Sequence, residues 1–152
     1  MILSSLRQLS VTDMVGAIQL SLAPVFLLNG IGVLLSMLTS RLARIVDRAR
    51  VLEAQLHTAG EQQAADLLVV LGVIRTRARL MNLAITLSTF SALLVALVVA
   101  LLFASALVSL SLADVVGLTF IVSMLALVGA LVIFLIEVRV ATAALRIGPS
   151  KS

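Results

Sequence analysis

Asn29, Gly32, Ser36 and Thr39 recur at intervals of three, four and three, with Ser40 as an alternative to Thr39. That spacing aligns them on one face of a helix. An amide, a glycine and hydroxyls inside an otherwise apolar stretch are expected to face protein or water rather than lipid. Such a stripe has two uses. It lets a neighbouring helix approach closely, or, repeated around a ring of copies, it lines a pore. Arg41, Arg44 and Arg48 carry the stripe onward at intervals of three and four. In a ring they would form stacked basic collars at the inner mouth. Alone they would orient the chain, meet lipid headgroups, or pair with Asp47 or Glu53.

Few other residues are equipped for chemistry. Glu137 closes a face of small residues, Thr119, Ser123, Ala126 and Ala130, and is expected to find a partner among Arg139, Arg79 and Arg75. A structural salt bridge is the simpler reading, and proton or cation transfer the alternative. Asn82, Thr86 and Thr89 make a similar polar face, read as glue between helices. Asp13 and Asp114 flank apolar runs and would sit near the outer surface. There they cap helices or, multiplied in a ring, concentrate cations. His57 falls at a turn, where a metal or catalytic role is not expected. No HExxH, GxSxG, Walker or GxGxxG motif occurs, and zero cysteines remove disulfides, thiolate metal sites and thiol catalysis. With no catalytic apparatus visible, the chain is not expected to be an enzyme, nor to need a cofactor or metal.

The elements that must position these residues follow from composition. Of 152 residues, 62% are hydrophobic and 12% charged, with a mean hydropathy of +1.26. A soluble domain carries about a quarter charged residues. So short a chain cannot bury so much apolar surface in its own interior, so lipid must take the rest. Three uncharged runs, 14–40, 80–113 and 115–136, are long enough to cross the roughly 30 Å hydrocarbon core as helices. The second is too short for two spans and is expected to be one span plus an outer loop. A signal peptide is the rival reading of the first run. It is longer than a signal's apolar region, however, and an arginine cluster follows it.

Seven of the eleven basic residues, Arg41 to Arg79, lie between the first two runs. Basic loops are held on the cytoplasmic side, which predicts an outer N-terminus and an inner C-terminus. The pI of 11.4 then reflects affinity for anionic lipid, not nucleic acid. Pro24 predicts a short interfacial helix over 11–22 and a first span beginning afresh at 23 and running to 40. The remaining expectations are a cytoplasmic hairpin at 41–79, spans at 80–104 and 115–137, an outer loop at 105–114 and a tail at 138–152. Within the hairpin, Leu42, Ile45, Ala49, Leu52 and Leu56 face Ala64, Leu67, Leu71, Ile74, Ala78 and Met81 in coiled-coil-like seams. Its tip is at 57–60, where Thr58 and Glu61 form a capping box or Gly60 ends the first arm. Ser10 with Asp13 and Ser111 with Asp114 repeat the capping pattern. Val46, Val51, Leu68, Val69, Val70 and Val73 fall outside the seams, and a two-helix hairpin cannot bury them all. A homo-oligomer is expected to.

At Ala23-Pro24-Val25-Phe26-Leu27-Leu28-Asn29-Gly30 and again across Arg41-Leu42-Ala43-Arg44-Ile45-Val46-Asp47-Arg48-Ala49-Arg50, the chain resembles the bacterial membrane proteins catalogued as domain of unknown function 2721. The resemblance extends from about Thr12 to Leu145. It implies a bacterial, three-span, all-α protein of the cytoplasmic membrane and brings no catalytic residues.

The function these residues favour is a homo-oligomeric ion channel or pore lined by the first span and continued by a cytoplasmic bundle. The alternative is a non-conducting scaffold whose hairpin docks a partner. A secondary transporter fits less well, because no inverted repeat is present. Beyond lipid, further copies of itself and inorganic ions, the sequence names no partner.

Overall fold

The computed structural model describes the backbone of residues 2–108 and 112–145 and the side chains of residues 14–107 and 112–142. It is all-helical there. Helix α1 runs Ile2–Leu56, α2 Glu61–Val108 and α3 Ala113–Leu145. Each contains a stretch long and apolar enough to cross a membrane.

The helix boundaries have local causes. At the first turn, the Thr58 amide and hydroxyl both donate to the Gln55 carbonyl at 3.1 Å, closing the end of α1. The Gly60 carbonyl then accepts the Ala64 amide at 2.9 Å, making Gly60 the residue that opens α2. Thr58 therefore turns back to α1 and does not form the expected box with Glu61. Leu112 opens α3 in the same way, its carbonyl accepting the Val116 amide at 2.9 Å. Glu61 and Asp114 occupy first turns, where a negative charge complements the helix dipole. Ser10 and Ser111, which would complete two capping boxes, lie outside the described side chains.

Two expected boundaries move. α1 passes through Pro24 without a break, so no separate interfacial helix ends before it. A proline inside a helix leaves one carbonyl unpaired, here that of Leu20. Within a long apolar helix the fixed φ is still helical, and neighbouring groups can compensate the lost bond. Three residues earlier, the Ser21 hydroxyl donates to the Ile18 carbonyl at 2.8 Å. The loop expected at 105–114 shortens as well, because α2 continues to Val108 and α3 begins at Ala113. The segment expected as a tail from 138 is helical to Leu145.

The chain divides into two compact units, each holding part of all three helices. The first comprises Met1–Leu34 with Ser88–Leu127. Its buried residues are mostly small: Ala17, Ser21, Pro24, Ile31, Ser88, Ser91, Val95, Val98 and Ser123. Small side chains let membrane helices approach closely, and hydroxyls can bond across the gap. Ser91 does so, donating to the Ser123 carbonyl at 2.8 Å. Asn82, Thr86 and Thr89, read as glue between helices, are exposed on the single chain. The face of α2 that is buried carries Met81, Ala84, Ser88, Ser91, Val95 and Val98.

The second unit comprises Leu35–Leu87 with Val128–Ser152. Its buried residues include Leu38, Ile45, Leu71, Ile74, Met81, Ala84, Ala130 and Glu137. Gly129 packs against Leu87, whose Cδ1 lies 3.6 Å from where a glycine Cβ would stand. Every residue of the two expected seams is buried or half-buried. Val51, Leu68, Val69, Val70 and Val73 are exposed, and Val69 retains 71% of its surface.

Candidate functional site

The second unit holds the main concentration of charge. Arginines appear where the uncharged run of α1 ends and just before that of α2 begins, and Glu137 follows the uncharged run of α3. The carboxylate of Glu137 is fully buried. Arg77 on α2 grips it at one oxygen, Oε1: its Nε donates a hydrogen bond at 2.9 Å, and its Nη2 lies 2.8 Å away as an ion-pair contact. Charge-assisted bonds of this length are among the strongest a side chain makes.

Oε2 is served differently. No donor bonds it within hydrogen-bond range, and Nη1 of Arg41 stands 3.7 Å away. The guanidinium of Arg41 also lies 5.1 Å from the centre of the Phe134 ring. Phe134 precedes Glu137 by one helical turn, so α3 supplies both a π face and a carboxylate to one arginine. Arg41 is thus turned toward α3.

Beside this cluster opens a cavity of about 450 Å³, lined by Arg41, Arg44, Arg48, Arg77 and Glu137 on its polar side. Ile45, Ile74, Met81, Val138, Ala141 and Thr142 complete the wall. Arg44 and Arg48 are exposed and form no ion pair with any described residue. The cavity therefore gathers four arginines around one carboxylate.

The remaining expected site residues are scattered. Asn29, Gly32, Ser36 and Thr39 are all exposed on the single chain. The Thr39 hydroxyl bonds back to the Leu35 and Ser36 carbonyls at 2.8 and 3.0 Å, and that of Ser40 to Ser36 at 2.8 Å. Asp114 and His57 are exposed, and the side chain of Asp13 lies outside the described residues. The three arginines expected beside Glu137 are not its partners. Arg139 and Arg79 are exposed, and Arg75 pairs with Glu53 at 3.6 Å. On the single chain Arg41 lies 3.7 Å from Glu137, and Glu53 is held by Arg75 from α2, not by a neighbour on α1.

Arg77 and Phe134 were not anticipated, although a signal for Arg77 was present. It follows Ile74 by three and precedes Met81 by four, so it shares the face of the buried seam, whereas Arg75 and Arg79 do not. An arginine on a buried face needs a carboxylate. Glu137 lies seven residues after Ala130 and fourteen after Ser123, both buried, so it occupies the same face of α3.

Three helices of spanning length and a buried ionic cluster define a multi-pass membrane protein of the all-helical class. The family model described as "Protein of unknown function (DUF2721)" matches residues 21–147, and the chain belongs to that family. No curated protein and no solved structure matches it.

Proposed function

We propose that the chain is a homo-oligomeric ion channel or pore of the bacterial cytoplasmic membrane. In this reading its N-terminus is outside, its C-terminus is inside, and the arms flanking the 57–60 turn protrude into the cytoplasm. The observation that carries it is the exposure of Asn29, Gly32, Ser36 and Thr39 on a single chain. No described part of the chain covers this polar face, and lipid covers it poorly. Copies arranged around an axis would turn it toward a shared aqueous path. Arg44 and Arg48 remain available as a basic collar at the inner end, while Arg41 belongs to the Glu137 cluster. Nothing in this reading requires catalysis.

Ion flux through purified protein in liposomes tests it. Ser36→Glu and Arg44→Glu are expected to change ion selectivity at unchanged oligomer size. Flux that neither substitution alters, or no flux across ions, voltages and pH, would defeat the pore. One observation favours the scaffold as a second reading: Leu68, Val69, Val70 and Val73 form an exposed apolar run on α2. A scaffold would use that run to dock a partner.

A further inference from the structure

We propose that the arginine-lined cavity of the second unit binds a phosphate-bearing anion, either as the headgroup of an anionic phospholipid or as a soluble phosphate compound. The inference does not depend on whether the chain conducts ions.

Four observations converge on it. The cavity, about 450 Å³, is of a size that accommodates a small ligand or headgroup. Four arginines line it, and the one carboxylate present is already gripped by Arg77. Arg44 and Arg48, one helical turn apart on α1, form no ion pair with any described residue. Guanidinium forks match the tetrahedral oxygens of phosphate, and two of them can clamp one group. The polar side also adjoins an apolar wall of Ile45, Ile74, Met81 and Val138. A diester that carries acyl chains offers both a charge for the arginines and hydrocarbon for that wall.

Placement in the chain supports the same chemistry. Arg41 directly follows the uncharged run of α1, Arg77 and Arg79 precede that of α2, and Glu137 follows that of α3. Lipid phosphates lie at the level where spans pass from uncharged to charged. Glu137 has a definite part: it holds Arg77 and draws Arg41 aside, leaving Arg44 and Arg48 as the free pair. Their substitution should therefore remove binding without disturbing the buried cluster.

The test uses the full-length protein in nanodiscs and in neutral detergent. One arm compares nanodiscs of phosphatidylcholine alone with nanodiscs also containing phosphatidylglycerol, reading retained lipid by native mass spectrometry and thermal stability. The other titrates inorganic phosphate and pyrophosphate against the detergent-solubilised protein. Retention of phosphatidylglycerol identifies a lipid site, and saturable binding of phosphate or pyrophosphate a soluble ligand. Either result is expected to weaken about tenfold or more in Arg44→Gln and again in Arg48→Gln. Arg50→Gln and Arg139→Gln, whose side chains lie outside the cavity, are expected to bind as the parent does. Equal loss in all four variants would mean diffuse surface attraction, and binding unchanged in Arg44→Gln/Arg48→Gln would place the anion elsewhere. Either of those, or no binding in both arms, overturns the proposal. Unchanged size-exclusion profiles of the variants exclude misfolding as the cause of a loss.

Discussion

At the scale of residues, Glu137 is the side chain on which the second unit turns. It is charged, fully buried and held by arginines from both other helices. Removing one member of such a buried set leaves its partners without a counter-charge and costs about 3–5 kcal/mol. Glu137→Leu is therefore expected to lower the unfolding temperature sharply in detergent. Glu137→Leu with Arg77→Leu should recover much of the loss, since the half-buried Arg77 guanidinium is then not left without its counter-charge. If the double variant is no better than the single, the cluster is not what stabilises the unit. The sequence carried this pairing only in part. It marked Glu137 as an acid in need of a cationic partner, but it named Arg139, Arg79 and Arg75 as nearby candidates and passed over Arg77. The helix face decided the partner. Arg77 shares a helix face with Ile74 and Met81, and Arg75 and Arg79 look elsewhere.

At the scale of elements, helical periodicity was the most legible signal. The seam positions from Leu42 to Met81 are all buried or half-buried, although Val46, expected outside the seams, is half-buried as well. Helix ends were less legible. Pro24 suggests a restart by local rules, yet α1 continues through it. An isolated proline in a helix interior costs about 3 kcal/mol, mostly through one missing hydrogen bond and a clash. Pro24→Ala restores the donor to the Leu20 carbonyl and is expected to raise thermal stability by some part of that amount. A fall in stability would mean that the buried pyrrolidine ring contributes packing that alanine cannot replace. The buried serines of α2 were missed for a different reason. Ser88 and Ser91 are too small and too common in apolar spans to stand out, whereas Asn82, Thr86 and Thr89 stand out and are exposed.

At the scale of the whole molecule, the exposed apolar surface is what composition foretold. Phe26, Val33, Leu118 and Leu125 each keep about two-thirds or more of their surface, as side chains facing lipid or another copy do. The Leu68–Val73 run differs, because it lies beyond the uncharged spans and near Asp66 and Arg75. If further copies cover it, Val69→Glu will shift the assembly toward smaller species in light scattering coupled to size exclusion. An unchanged mass would leave that run to a partner of another kind. Periodicity could not separate these outcomes, since lipid, a second copy and a docked partner all ask for the same apolar side chains.

Placing both close nitrogens of Arg77 at Oε1, and no hydrogen-bond donor at Oε2, also makes the two C–O bonds of Glu137 unequal. The bond to Oε1 gains single-bond character and the bond to Oε2 keeps more of a carbonyl's. The wider separation of the two carboxylate stretches would be visible in the infrared spectrum of isotope-labelled glutamate, where the other glutamates, Glu53 and Glu61, are exposed. Anything that draws Arg41 away from Oε2 would widen it further. The buried acid thus serves as a vibrational gauge of how that arginine is engaged.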